Sequence, residues 1–207
     1  MDLAFIHRAF SDRADGVFIG GCWPGECHYV TEGNLDALAN VHLYRKLLGQ
    51  IGVSPERLRI EWIAASEGTR YAEIMNDFVQ VLKKLGPLGT GEGLDQGLLS
   101  IRLEAVEKLV PYLRLVERER LRAPERTEAA ANQFYDARET DDLFDELVAD
   151  KLAQGEIVSL LRRRPLSTGE IAEILKLSPS EVSRHMRSSS RQGLVQYDVE
   201  RQRYVLA

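Results

Sequence analysis

Two short apolar runs constrain this 207-residue chain more than anything else in it. Gly16-Val17-Phe18-Ile19 and Leu58-Arg59-Ile60-Glu61-Trp62-Ile63 each read as a strand, and helical periods surround them. Residues 2–13 place Leu3, Phe5-Ile6 and Ala9-Phe10 at helical spacing. Residues 35–48 repeat the period through Leu35, Leu38-Ala39, His42-Leu43 and Leu47, and Gly49 and Gly52 mark the end. Residues 69–85 make a third helix, closed by Gly86-Pro87. The order helix–strand–helix–strand–helix predicts an α/β fold with a parallel sheet and right-handed crossovers. Two strands are few for such a sheet, because they leave an unpaired edge and uncovered apolar surface. The expectation is a partial sheet lacking its N-terminal strands, completed by another polypeptide or by sequence preceding this chain.

Between the strands lies the only cysteine-bearing segment, Gly20-Gly21-Cys22-Trp23-Pro24-Gly25-Glu26-Cys27-His28-Tyr29. A strand that runs into a Gly/Pro-punctuated loop with two thiols can hold a metal centre or do redox chemistry. Two thiolates are half of what an iron–sulfur cluster needs. From the residues alone, a pair of free cysteines or a disulfide remains open beside a cluster. Glycines 20, 21 and 25 let backbone N–H groups approach the sulfurs. Trp23 and Tyr29 are placed to shield the site, and His28 to tune it or to face solvent.

Beyond residue 87 the pattern changes. Gly86-Pro87-Leu88-Gly89-Thr90-Gly91-Glu92-Gly93-Leu94-Asp95-Gln96-Gly97 reads as a linker or exposed loop. Residues 98–122 form a long charged helix with a bend expected at Pro111, and residues 123–139 a hinge with some helix. The period returns from residue 140 as one long helix ending before Pro165. Ser167-Thr168-Gly169-Glu170 opens a short helix with a capping-box pattern, and Ser178-Pro179 opens another that runs to Gly193. Residues 194–198 and 203–206 read as two strands around a polar turn. The domain expectation is 1–87, a helical linker over 88–139, and a winged helix-turn-helix over 140–207.

Charge follows this division. Lys and Arg number 27 against 32 Asp and Glu, yet residues 157–207 carry 9 basic against 5 acidic residues. The net positive tail on a negative protein suggests modules with different partners. No apolar run approaches a membrane span, there is no signal-peptide pattern, and two cysteines make no secreted disulfide scaffold. The expected location is cytoplasmic, with reduced thiols.

Leu177-Ser178-Pro179-Ser180-Glu181-Val182-Ser183-Arg184-His185-Met186-Arg187, followed by Gly193-Leu194-Val195, resembles the recognition helix and wing entry of bacterial ArsR/MarR-type regulators. In that resemblance Ser180, Ser183, Arg184 and Arg187 lie on the exposed face, positioned for phosphates and base edges. Arg201 and Arg203 on the wing would add backbone contacts. His185 reads as a packing residue. Winged helices also serve as docking or dimerising modules, and that role is the favoured expectation for this one.

Residues 14–29, together with Glu32-Gly33-Asn34, Leu58-Arg59-Ile60-Glu61-Trp62-Ile63, Ala65-Ser66-Glu67-Gly68 and the helix ending Lys84-Leu85-Gly86-Pro87, resemble the delta subunit family of methyl-viologen-reducing hydrogenase. The resemblance implies a flavodoxin-like fold and electron transfer through a [2Fe-2S] cluster. It also implies a link from a hydrogenase or formate dehydrogenase to the flavin-containing subunit of a heterodisulfide-reductase-like complex. Only Cys22 and Cys27 carry over as cluster ligands, because the family's upstream cysteines precede the position of Met1. A separate subunit could supply the rest, the start could be mis-assigned downstream of an in-frame UGA, or the cluster could be lost. Mis-assignment is favoured, since the remaining sheet buries too little surface to be stable alone.

The leading expectation is therefore a non-catalytic electron-transfer iron–sulfur subunit of a multisubunit oxidoreductase. The alternative is a redox-sensing, DNA-binding transcription regulator. Other constellations fall away. Asp136, Glu139, Asp141, Asp142, Asp145 and Glu146 lack the glycine and alternation of a calcium loop. Gly89-Thr90-Gly91-Glu92-Gly93 is followed by no Lys-Ser/Thr and so is no phosphate loop. The charged stretch 114–126 reads as solvated or partner-facing.

Overall fold

The structure is a computed structural model and describes residues 1–29 and 33–207. Glu32, part of the resemblance above, lies outside the described residues. The chain is mixed α/β and mostly helical, with eight α-helices and four strands among the described residues.

The N-terminal half has the expected order. Helix α1, Leu3–Ser11, starts where Asp2 Oδ1 accepts the Ala4 N–H at 2.8 Å, and it buries Leu3, Ile6, His7 and Phe10. Strand β1, Val17–Gly21, runs parallel to β2, Leu58–Trp62, in the register Val17↔Leu58 to Gly21↔Trp62. Helix α2, Asn34–Gln50, connects them, and α3, Gly68–Leu85, follows. Strand β1 runs two residues further than the apolar run predicts, through Gly20 and Gly21, so the cysteine loop starts at the strand's carboxyl end. Among the described residues the sheet consists of these two strands. Helix α3 accordingly buries only Phe78 of its own residues, and Tyr71 and Val79 stay exposed on it.

The glycine-rich stretch after α3 is not a free linker. Leu88 and Gly89 are buried, and Glu92 turns inward to the fully buried Arg57. A Cβ at Gly91 would lie 1.8 Å from the Leu85 carbonyl oxygen, so the close packing of this turn requires glycine there.

Helix α4, Gln96–Glu119, is continuous through Pro111, and it is no mere spacer. Leu99, Leu103, Ala105, Val106, Leu109, Val110, Leu113 and Val116 join the same core as α1 and α2. Helices α5, Glu128–Tyr135, and α6, Arg138–Arg163, complete that core through Ala131, Tyr135, Phe144, Val148 and Leu152. A second core gathers Ile101 from α4 and Ile157, Leu160 and Leu161 from α6 with the C-terminal elements. Helices α4 and α6 therefore cross both cores. They approach closely at Gly155, where a Cβ would stand 3.1 Å from the Ala105 Cβ.

The C-terminal elements match a winged helix. Helix α7, Thr168–Leu175, carries the capping box of Ser167 and Glu170, and α8, Pro179–Arg191, has a second one of Ser178 and Glu181. Lys176 at φ +57° makes the turn between them. Strands β3, Val195–Asp198, and β4, Arg203–Leu206, form an antiparallel hairpin, and β4 bridges to Leu166. Ile171, Leu175, Val182, Met186 and Val195 are buried against α6. Among the described residues, no helix is long and apolar enough to cross a membrane.

Candidate functional site

The cysteine loop leaves the carboxyl end of β1, where ligands of open parallel sheets commonly sit. Gly21 is paired with Trp62, and a Cβ on it would meet the Trp62 ring at 2.5 Å. The loop then closes a turn in which Glu26 N–H donates to Trp23 O at 2.9 Å. Pro24 and Gly25 occupy the centre, with Gly25 at φ +89°, the signature of a type II turn. Cys22 and Cys27 flank this turn as free thiols, Cys22 exposed and Cys27 half-buried.

Three side chains from neighbouring elements fix the loop. Asn34, the first residue of α2, donates from Nδ2 to Cys22 O at 3.1 Å. Trp23 Nε1–H donates to Glu67 Oε2 at 2.9 Å, and the same oxygen accepts the Ala64 N–H at 2.7 Å. The Ala64 and Trp23 donors hold the Glu67 carboxyl below its ordinary range, so it is a fixed negative charge beside the loop. The Arg70 guanidinium lies over the Trp23 ring at 4.8 Å. Gly33 packs on the second cysteine: a Cβ there would stand 2.5 Å from Cys27 Sγ and 2.6 Å from Tyr29 O.

Trp23 thus backs the loop from inside. Tyr29, expected as a shield, is 69% exposed, and its ring meets that of His28 edge-on at a 5.3 Å separation. Among the described residues no group of three or more His, Cys, Asp or Glu side chains could hold a metal ion. The donor set is two thiols on one anchored loop, which fits one half of a thiolate-ligated iron–sulfur centre. The supporting roles of Asn34, Glu67 and Arg70 are not apparent in the sequence. Parallel pairing supplies them, because it sets the loop after β2 beside the loop after β1.

The second candidate surface is the outer face of α8. Ser180, Arg184 and Arg187 line a shallow concavity there with Ser188 and Arg191. Ser183 Oγ–H turns back to Pro179 O at 2.8 Å. Arg184 makes a two-pronged ion pair with Asp150 of α6, at 3.0 and 2.8 Å. On the wing, Arg203 is bound to Glu170, the capping-box carboxylate, and to Pro165 O. Arg201 pairs with Asp198 at 3.6 Å. Of the four predicted arginines, three are engaged within the chain, and Arg187 alone has no carboxylate partner among the described residues. Arg191 shares that state; its spacing of four from Arg187 would have revealed it. His185 is buried, as a packing residue should be. Burial and the neighbouring Arg184 hold its pKa low against the pull of Asp150.

Residues 1–86 match the family model described as methyl-viologen-reducing hydrogenase, delta subunit, and residues 154–197 match that described as bacterial regulatory protein, arsR family. The N-terminal part is 51% identical over 83 residues to an iron-sulfur subunit of the F420-non-reducing hydrogenase of Archaeoglobus profundus, covering 40% of this chain and 60% of that one. It is 45% identical over 84 residues to the vhc iron-sulfur subunit of the F420-non-reducing hydrogenase of Methanococcus voltae, covering 41% and 58%. One component of the ferredoxin/F(420)H(2)-dependent CoB-CoM heterodisulfide reductase of Methanosarcina acetivorans is 41% identical over 86 residues, covering 42% of this chain and 11% of that one. The chain therefore spans about three fifths of these hydrogenase proteins and about a tenth of the reductase component. It joins a methyl-viologen-reducing hydrogenase delta-subunit domain at residues 1–86 to an arsR-family helix-turn-helix at residues 154–197.

Proposed function

We propose that this chain is a non-catalytic electron-transfer subunit of a multisubunit oxidoreductase. In this reading Cys22 and Cys27 ligate a [2Fe-2S] cluster, and protein outside these 207 residues supplies the remaining ligands. The domain around them, residues 1–87, is a partial flavodoxin-like sheet. The partners are a heterodisulfide-reductase-like flavoprotein and a hydrogenase or formate dehydrogenase. The similarity to proteins named as iron-sulfur subunits supports this, and so does the chemistry of the donor pair.

One observation carries the reading: both thiols flank a single turn that Asn34 and Glu67 anchor at the carboxyl end of the parallel strands. When bound, the cluster supplies one-electron redox chemistry. The chain's own residues hold the thiolates, keep Trp23 packed behind them, and set the local charge through Glu67 and Arg70. A fixed carboxylate lowers the potential of a nearby centre, and Arg70 offsets part of that effect. The winged helix at 140–207 is read as a docking module for protein. Ion pairing of Arg184, Arg201 and Arg203 within the chain favours this role, as do the carboxylates Asp198 and Glu200 at the wing turn.

The test is electron paramagnetic resonance on the anaerobically isolated complex, reduced by its own donor. A reducible iron–sulfur signal that disappears when this chain is omitted supports the reading. A complex that keeps every signal without this chain contradicts it.

A second reading, a redox-sensing DNA-binding regulator, is favoured by Arg187 and Arg191 on α8, which have no ion-pair partner among the described residues, together with the arsR-family match. It requires salt-dependent, sequence-selective binding of duplex DNA that changes with the state of the cysteine loop. Absence of such binding removes it.

A further inference from the structure

Three consecutive residues of α6 meet three different parts of the molecule. Gln154 donates from Nε2 to Ser189 Oγ at 3.1 Å and to Gln192 Oε1 at 2.8 Å, at the end of α8. Gly155 packs on Ala105 of α4. Glu156 is buried and faces Arg102 of α4, whose Nε stands 3.5 Å from its Oε1. Arg102 in turn donates from Nη1 at 2.8 Å to the carbonyl of Ile51, the residue that caps α2. Gly52, at φ +73°, closes over the same nitrogen, and a Cβ there would stand 3.0 Å from it.

The other end of α2 holds the cysteine loop, through Gly33 against Cys27 Sγ and Asn34 on Cys22 O. At roughly 1.5 Å per residue the helix between them is about 25 Å long. A rigid element of this kind carries a displacement of its first turn to its last. Arg102 is where that displacement would be felt. Its bond to Ile51 is made, but its Nε is buried with no hydrogen-bond partner among the described residues. Glu156 lies beyond the roughly 2.7–3.2 Å of an N–H···O bond. A buried donor left unmade costs free energy, and a small movement of α2 against α6 relieves it by bringing Nε onto the carboxylate. Neighbouring charges on α4 and α6 are used elsewhere. Lys108 turns to Ser159 Oγ at 3.2 Å, and Arg163 donates to Glu104 at 2.7 Å.

We propose that Arg102 and Glu156 form a latch that couples the state of the cysteine loop to the winged helix. When the loop rearranges, α2 follows, Arg102 shifts between Ile51 O alone and Ile51 O with Glu156, and the adjoining Gln154 passes the change to α8. Small shifts become discrete changes in this way because packed cores hold alternative arrangements rather than deforming continuously. The latch rests on the reading of Cys22 and Cys27 as cluster ligands only for its natural trigger, the gain or loss of that cluster.

The test is hydrogen–deuterium exchange at the amides of residues 179–191, which reports local opening of α8. The loop is disturbed in two ways: by chelating iron from the anaerobically isolated complex, and by Gly33→Ala in the full chain, which needs no iron. Each should change α8 exchange several-fold in the otherwise wild-type protein. In Arg102→Met/Glu156→Met both responses should be lost. Replacing a buried ion pair by apolar residues of similar volume is often neutral or stabilising, so the unfolding midpoint of that variant should not fall. If it does, Arg102→Lys decides, because an ammonium lacks the fork that holds two partners and should also uncouple the helices. An α8 response to Gly33→Ala that is absent in wild type, or that persists undiminished in the double variant, would overturn the latch. If iron is present and its removal leaves α8 unchanged, the coupling fails while the cluster reading stands. If the complex holds no iron in this chain but Gly33→Ala acts on α8 through the pair, the cluster reading fails and the latch stands.

Discussion

Arg57 is fully buried, and Glu92 accepts from its Nε at 2.6 Å and from its Nη2 at 3.1 Å. The guanidinium also donates to the carbonyls of Asp15, Leu85 and Pro87. One residue before β2 thereby ties together the entry to β1, the end of α3 and the glycine-rich turn. Glu92 in turn accepts the N–H groups of Ser54 and Gly89. Replacing Glu92 by Ala strands a buried cation, so the expected cost is about 3–5 kcal/mol. A urea unfolding series checks this; a midpoint within error of wild type would show that the turn is dispensable.

The same carboxylate gives an acid limb to the stability curve. Burial pushes the Glu92 pKa up, but the Arg57 contacts and the backbone donors outweigh it and the net shift is downward. A depressed folded pKa contributes stability that is complete above the unfolded value of roughly 4.3 and is lost as pH falls through the folded pKa. Glu170 behaves alike in the winged helix. The Ser167 N–H, then Arg203 and the Ser167 hydroxyl, draw it down to about 2. Thermal unfolding from neutral pH downward should therefore show loss of stability below roughly pH 4.3, and Glu170→Gln should flatten the acid limb of the winged helix's transition.

Glu156 works in the opposite direction. It is buried on α6 with Arg102 Nε 3.5 Å away, and burial outweighs that charge, raising its pKa to about 7. A raised carboxyl pKa means that the folded state holds the proton longer, so its contribution falls as pH rises from roughly 4.3 to about 7. Glu156→Gln should remove this slope and leave the protein more stable than wild type at neutral pH. An unchanged slope between those limits would place the titration elsewhere.

Gly33 is the steric gate of the cysteine loop. Gly33→Ala would drive its Cβ against Cys27 Sγ and the Tyr29 carbonyl, and a backbone oxygen cannot swing aside as a flexible side chain can. Global stability should change by about 1 kcal/mol or less, because neither Gly33 nor Cys27 is in the core. Bound iron in the anaerobically isolated complex should fall several-fold. Full iron occupancy in this variant would show that Cys27 need not stay where the structure has it.

The order of elements is legible in the sequence because each carries its own period. The alternation in β2, the i, i+3, i+4, i+7 burial of α1 and the capping box at Ser167 all announce themselves locally. The turn at 86–95 does not, since its glycines look the same whether they are solvated or wrapped around an arginine. What decides between these is Arg57, some thirty residues upstream and indistinguishable in sequence from a surface charge. Helix α4 reads as a spacer for a related reason. Two of its faces feed different cores, Ile101 the second and Leu99 and Leu103 on either side of it the first, so its apolar residues spread around the helix and its charges stand out. At the site, the cysteines can be found from the chain alone. Their supports at Asn34 and Glu67 depend on parallel pairing of β1 and β2, and that is a property of the tertiary fold.

Everything proposed for the cysteine loop depends on Cys22 and Cys27 ligating iron. Iron and acid-labile sulfide in the anaerobically isolated complex, wild type against Cys22→Ser and Cys27→Ser, test it most directly, with circular dichroism to show that each variant is folded. Each serine variant should lose the iron and sulfide belonging to this chain's cluster and keep its helical signal. Unchanged iron and sulfide in the folded double variant would contradict it.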